Sequence, residues 1–186
     1  MRALNGALVL CADHELATST FAVRVAASVR ANPYATIAAG LGALDGPLHG
    51  TVSELVHALL ADAEREGVDA AVSWRLRHGD RLPGFGHPLY PDGDPRAPAL
   101  LALLSPDGFD AARRDVAYAV LDAVIGRTGT TPNADFALGA LAFAGRMGPD
   151  AGEAVFAIGR CAGWLAHALE EYAEAPLRFR LRARWV

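Results

Sequence analysis

The sequence predicts an all-α protein. Apolar residues recur at helical spacing along almost the whole chain, and no segment sustains an apolar/polar alternation enriched in β-branched residues. Alanine supplies about a fifth of the residues. A period near 3.6 lays apolar side chains along one helix face, and alanine is the most easily accommodated residue in a helix. The 186 residues, 52% of them hydrophobic, are enough for one domain, or one domain with a small subdomain, around a real core. That apolar content excludes a disordered chain. The net charge of −4 is spread along the chain, which argues against a nucleic-acid partner. All 17 basic residues are arginine. The lack of lysine excludes a P-loop nucleotide site and Schiff-base or pyridoxal-phosphate chemistry.

At the amino terminus, the run Ala7-Leu8-Val9-Leu10-Cys11 resembles a lipoprotein signal, but it is short and Asp13-His14-Glu15 follows at once, so no leader is expected. Thr18-Ser19-Thr20 are expected to cap a helix running to about Val29. Pro33 opens a second helix that ends near Leu44, before the Asp45-Gly46-Pro47 turn. A third runs from about Thr51 to Glu66, with Val52, Leu55, Val56, Leu59 and Leu60 on one face, and a short helix covers 69–77. Residues 79–94 hold four glycines, three prolines and three aspartates, the composition of an irregular loop. Helices resume over about 95–104, 110–126, 133–145 and 151–172, and the alternating arginines after Ala175 suggest an extended tail. The longest uncharged stretch, Ala31 to Leu44, has 14 residues and is too short for a bilayer of about 30 Å. Cys11 and Cys161 have no metal or disulfide spacing, so they read as small hydrophobes in a reducing compartment, and a cytoplasmic location is expected.

Function has to come from local sites. Three histidines sit on turns: His14 before a capped helix, His49 in Gly46-Pro47-Leu48-His49-Gly50, and His87 in Gly84-Phe85-Gly86-His87. Taken singly each reads as a capping or surface residue, but rigidly held loops are where catalytic groups gather. His57, His78 and His167 lie in helices or at helix ends and read as ordinary. In Asp94-Pro95-Arg96-Ala97 the aspartate caps a helix, and Arg96 is a cation in its first turn, against the helix dipole, which points to an anionic partner. Asp135 is a first-turn acid after Pro132-Asn133. Arg160, among small apolar residues, needs a carboxylate partner if buried.

These motifs occur in one order: Asp13-His14-Glu15, Gly-Pro-Leu-His-Gly at 46–50, Gly-Phe-Gly-His at 84–87, Asp-Pro-Arg-Ala at 94–97, Pro-Asn-x-Asp-Phe at 132–136, Gly-Arg-x-x-Gly-Trp-x-x-His at 159–167 and Arg-x-Arg at 180–182. Together, from about residue 5 to the end, they resemble the carboxy-terminal half of a citrate synthase. The resemblance implies a multi-helical fold, with residues 50–145 as the small domain and residues 1–49 and 146–186 as part of the large, dimerisation domain. It implies condensation of acetyl-CoA with oxaloacetate, the entry step of the tricarboxylic acid cycle, followed by hydrolysis of the citryl thioester. Asp135 would take the methyl proton, His49 would hold the thioester oxygen, and His87 would polarise the ketone. His14, Arg96, Arg160 and Arg180 would hold the carboxylates, Arg180 reaching into a neighbouring subunit. No metal or redox cofactor is required; the coenzyme A thioester is a substrate.

The chain departs from the pattern after His49, where Thr51-Val52-Ser53 replaces the usual Gly-x-Asn, and after His87, where Pro88 stands in place of an arginine common in bacterial members. Members of the family are also typically about twice this length, so the expected partner is a second copy or a chain supplying the amino-terminal half. Two alternatives stay open: a 2-methylcitrate synthase-type enzyme, and a non-catalytic acyl-CoA- or dicarboxylate-binding regulatory module.

Overall fold

The computed structural model describes residues 2–46, 50–79, 81–104 and 108–180. Among them are nine α-helices and no strand, so the chain is all-α. In chain order they are α1 (Arg2–Cys11), α2 (Thr18–Ser28), α3 (Pro33–Leu44), α4 (Val52–Glu66), α5 (Val68–Arg77), α6 (Arg96–Leu101), α7 (Ala111–Thr128), α8 (Ala134–Ala144) and α9 (Ala151–Ala173).

Most boundaries fall where local chemistry places them. Asn32 accepts the Ala35 N–H at 3.0 Å and Pro33 begins α3. Asp110 caps α7 through the Arg113 N–H, and Gly129, in the left-handed region, ends it. Three segments differ from the sequence expectation. The run at 2–11, which carries no cap or proline signal, is a helix because its Ala7–Cys11 face packs on α9. The α2 N-cap position is Ala17, and no side chain caps it; Ser19 and Thr20 lie buried inside the helix. The tail turns at 176–179 instead of extending: Leu177 donates its N–H to Ser28 O at 2.9 Å, and Arg178 pairs with buried Glu171. Residues 181–186 lie outside the described residues.

Two helices organise the core. Every residue of α8 is fully buried except Asp135, which is partly buried. The long α9 packs against α1, α2, α3, α4 and α8, with Trp164 fully buried. α1 meets α9 closely: Gly163 donates its N–H to Ala12 O at 3.0 Å, and a β-carbon at Gly163 would overlap that carbonyl oxygen. This contact fixes the end of α1, and therefore His14, against the helix that carries Arg160. Val9, Leu16, Phe21, Val29, Ile158 and Leu169 leave apolar side chains on the outer faces of α1, α2 and α9 and on the loop before α2. No helix is long and apolar enough to cross a membrane among the described residues.

Candidate active site

Five chain segments meet at one small cavity of about 80 Å³. His14 enters from the α1–α2 connection, His87 from the loop between α5 and α6, Arg96 and Asp135 from the first turns of α6 and α8, and Arg160 from α9, with Phe156 beside it.

The His87 loop is tied to the start of α8. Asn133 donates its N–H to Gly84 O at 2.9 Å and its side-chain amide to Gly86 O at 2.8 Å, while its own Oδ1 accepts the Asp135 and Phe136 N–H groups. Gly84 has φ of +81°, and a β-carbon there would come within 2.7 Å of the Phe136 β-carbon. The glycine thus lets the loop lie on α8. One cap residue therefore sets the spacing between His87 and Asp135. The Leu89 N–H donates to His87 Nδ1 at 3.1 Å, so neutral His87 carries its proton on Nε2.

Asp94 is the hub on the other side. Its Oδ1 accepts the Arg96 N–H and Nε–H, both at 3.0 Å; its Oδ2 accepts Arg96 Nη2–H at 2.8 Å and the Ala134 N–H at 2.9 Å. The anionic partner expected for Arg96 is therefore this neighbouring, buried carboxylate, which also joins α6 to α8.

Arg160 is different. Its side chain is 1% exposed, its Nε donates to Cys11 O at 2.9 Å, and its guanidinium lies 4.5 Å from the Phe156 ring centre. Among the described residues, neither Nη1 nor Nη2 has a hydrogen-bond partner. The carboxylate expected beside a buried Arg160 is not supplied by the described residues: the main-chain oxygen of Cys11 takes Nε, and the forked end is left over. An unpaired buried cation is costly, and a planar fork matches a carboxylate.

The surroundings shift the carboxyl group of Asp135 and the imidazoles of His14 and His87. Burial raises Asp135 to about 6, against a lowering pull from Arg96. Burial, Arg96 and His87 depress His14 to about 4. Burial also lowers His87, with Asp94 opposing. Around neutrality the cavity thus holds two uncharged imidazoles, two guanidiniums and a carboxylate poised near its proton affinity. That set can grip an anion, donate a hydrogen bond to a carbonyl oxygen and accept a carbon-bound proton.

A family model for the citrate synthase C-terminal domain matches residues 1–182. The chain belongs to the citrate synthase family. It is similar to citrate synthase 2 of Bacillus subtilis, with 35% identity over 176 residues, 92% of this chain and 47% of that protein. Among solved structures, the citryl-CoA lyase of Hydrogenobacter thermophilus superposes with a TM-score of 0.87 at 28% identity, covering 100% of this chain and 76% of the lyase chain. A citrate synthase of Thermoplasma acidophilum in a ternary complex with carboxymethyl coenzyme A and oxaloacetate superposes at 0.80 with 32% identity, covering 99% and 51%. The chain spans about half the length of the curated citrate synthases it matches.

Of the residues singled out from sequence, the structure gathers His14, His87, Arg96, Asp135 and Arg160. Arg180 does not line the cavity; it is exposed, with its N–H donated to Leu177 O. His49 lies outside the described residues. His57 packs edge-on to Phe143, His78 bonds Trp74 O, and His167 sits between Asp13 and Arg24, all away from the cavity. Sequence reading took Asp94 for a cap and Asn133 for a helix start. Asn133 does cap α8, whereas the N-cap position of α6 is Pro95 and Asp94 instead holds the Arg96 side chain; the links from Asn133 to the His87 loop and from Asp94 to α8 span 47 and 40 residues of chain.

Proposed function

We propose that this chain carries the catalytic residues of a citrate synthase-type acyltransferase that condenses acetyl-CoA with oxaloacetate. The observation that carries the reading is the buried, unpaired fork of Arg160, facing a cavity it shares with Arg96 and a carboxylate of raised proton affinity. A four-carbon oxo diacid supplies the carboxylate that the Arg160 fork lacks. Asp135 takes a proton from the thioester methyl, and the carbonyl oxygen, held by His49, gains the charge. The enol carbon then attacks the ketone, whose oxygen receives a hydrogen bond from His87 Nε2–H. His14 and Arg96 complete the carboxylate grip, and water finally cleaves the thioester to release the coenzyme A thiol. Neutral imidazoles suit this work, because each offers one N–H without competing for the substrate's negative charge. The exposed apolar side chains on α1, α2 and α9 suit a second copy or a complementary amino-terminal chain, whose site Arg180 would enter.

The test is thiol release from acetyl-CoA and oxaloacetate, by the chain alone and with a separately supplied amino-terminal half of a relative, beside Asp135→Ala. Release that the substitution leaves unchanged would sink the role of Asp135. Saturable oxaloacetate binding without release, lost in Arg160→Ala, would instead favour a binding module.

A second reading has its own observation: the fold superposes on the citryl-CoA lyase at a TM-score of 0.87, against 0.81 and 0.80 for two citrate synthases. A lyase breaks the same carbon–carbon bond, with Asp135 returning the proton to the methyl carbon. Citryl-CoA consumed to acetyl-CoA and oxaloacetate, with no free thiol, would select it.

A further inference from the structure

The loop that carries His87 also carries Tyr90, to which no motif or composition signal pointed. Its hydroxyl oxygen lies 3.0 Å from Nε2 of His14, a residue 76 positions away. Its ring centre is 5.4 Å from that of His14 and 4.9 Å from that of His87, and the two imidazoles stand edge-on at 5.3 Å. The hydroxyl bond joins the α1–α2 connection to the α5–α6 loop on one flank of the cavity. Tyr90 is itself held within its loop, donating its N–H to His87 O and accepting from Gly93 N–H.

We propose that Tyr90 is a positioning residue for the oxo-acid site: its hydroxyl donates to His14 Nε2, locks the ring's orientation and leaves the ring proton on Nδ1 as the donor to the substrate. The inference rests on the reading above, that the cavity binds a carboxylate-bearing oxo acid. Its chemistry is simple. His14 lies partly buried among cationic groups, so it is neutral and has one N–H and one lone pair. A phenol is a good donor and a weak acceptor, whereas the bare nitrogen of a neutral imidazole is a strong acceptor. The O–H to Nε2 direction therefore wins. Without the hydroxyl, the ring is free to swing or to exchange tautomers, and part of the population would turn a lone pair toward the substrate's negative oxygen. His87 is fixed in the complementary way, with the Leu89 N–H on its Nδ1. The two imidazoles thus present opposite nitrogens as donors.

Tyr90→Phe removes the hydroxyl and keeps the ring that packs on both histidines. Long-range ¹H–¹⁵N spectra of the histidine rings should show the neutral Nδ1–H tautomer for His14 in the unmodified chain and a mixture in Tyr90→Phe. Oxaloacetate affinity by calorimetry should fall about tenfold, the scale of one hydrogen bond to a charged group. It should fall no further when Tyr90→Phe is added to His14→Ala. An Nε2–H tautomer in the unmodified chain, an unchanged tautomer in Tyr90→Phe, or an additive loss in the double variant would each overturn the proposal. A tautomer shift in a chain that binds no oxaloacetate would support the Tyr90–His14 coupling and remove the oxo-acid reading on which its purpose rests.

Discussion

Arg160 is held to Cys11 by a single hydrogen bond, from its Nε to the carbonyl oxygen at 2.9 Å. The carbonyl lies at the carboxyl end of α1, where helix oxygens lack intrahelical partners, so the end of one helix orients a cation projecting from another. This contact takes one edge of the guanidinium and leaves the other for a ligand.

Arg160 should therefore serve binding at the expense of stability. Arg160→Met keeps the side-chain length and removes an unpaired buried charge. It should raise the unfolding free energy in urea by about 1–2 kcal/mol and weaken oxaloacetate binding about 100-fold. A variant less stable than the parent would show that the fork is satisfied without ligand.

Asp135 should make the protein less stable as pH rises through mildly acidic values. Its carboxyl group lies at about 6 in the folded chain against 3.8 ordinarily. Between about pH 4 and 6 the native state thus holds a proton that the unfolded chain has lost, and stability falls as pH rises through that window. Asp135→Asn should abolish this slope and be about 1–3 kcal/mol more stable than the parent at pH 7, the two converging below pH 4. Condensing activity in the parent should rise through about pH 6 as the base ionises. Urea titrations and rate profiles across pH 4–8 check both.

His14 should act with the opposite sign. Its imidazole lies at about 4 against 6.5 ordinarily, so unfolding takes up a proton below pH 6.5 that the native state refuses. Stability from this group is whole above 6.5 and lost as pH falls toward 4. His14→Gln should flatten that acid-side fall, which His87, shifted the same way, retains in part. The His14 and Asp135 variants should therefore bend the pH–stability curve in opposite directions, a pattern that chemical denaturation at fixed pH steps would reveal.

Gly163 should tolerate no side chain. Gly163→Ala drives a methyl group into the Ala12 carbonyl, which belongs to the backbone and cannot rotate away. A loss of about 2–3 kcal/mol is expected, with weakened oxaloacetate binding because α1 and the Cys11 carbonyl shift together. An Ala variant that melts with the parent would place the α1–α9 contact elsewhere.

The helices were largely legible because their signals are local. Pro33 after the Asn32 cap and the glycine- and proline-rich loop at 79–94 act between near neighbours in the chain, and the structure follows them; the expected face of α4 is followed in part, with Val56, Leu59 and Leu60 buried but Leu55 exposed. The same holds for the identities of the polar residues: a family's motifs in order point to His14, His87, Arg96, Asp135 and Arg160 without a coordinate. α1 was not legible, since a 10-residue apolar run without caps becomes a helix only when α9 covers it.

What the sequence determined by itself is thus the helical class, most element ends and the set of charged and turn-borne side chains. Tertiary structure decided which of them are left open. It gave Arg96 the Asp94 carboxylate and left Arg160 with a carbonyl and an open fork, although both arginines carry the same charge and the same need. It also set Tyr90 on His14. The reason is distance along the chain. Hydrogen bonding and desolvation depend on neighbours in space, and here those neighbours stand up to 149 residues apart in sequence.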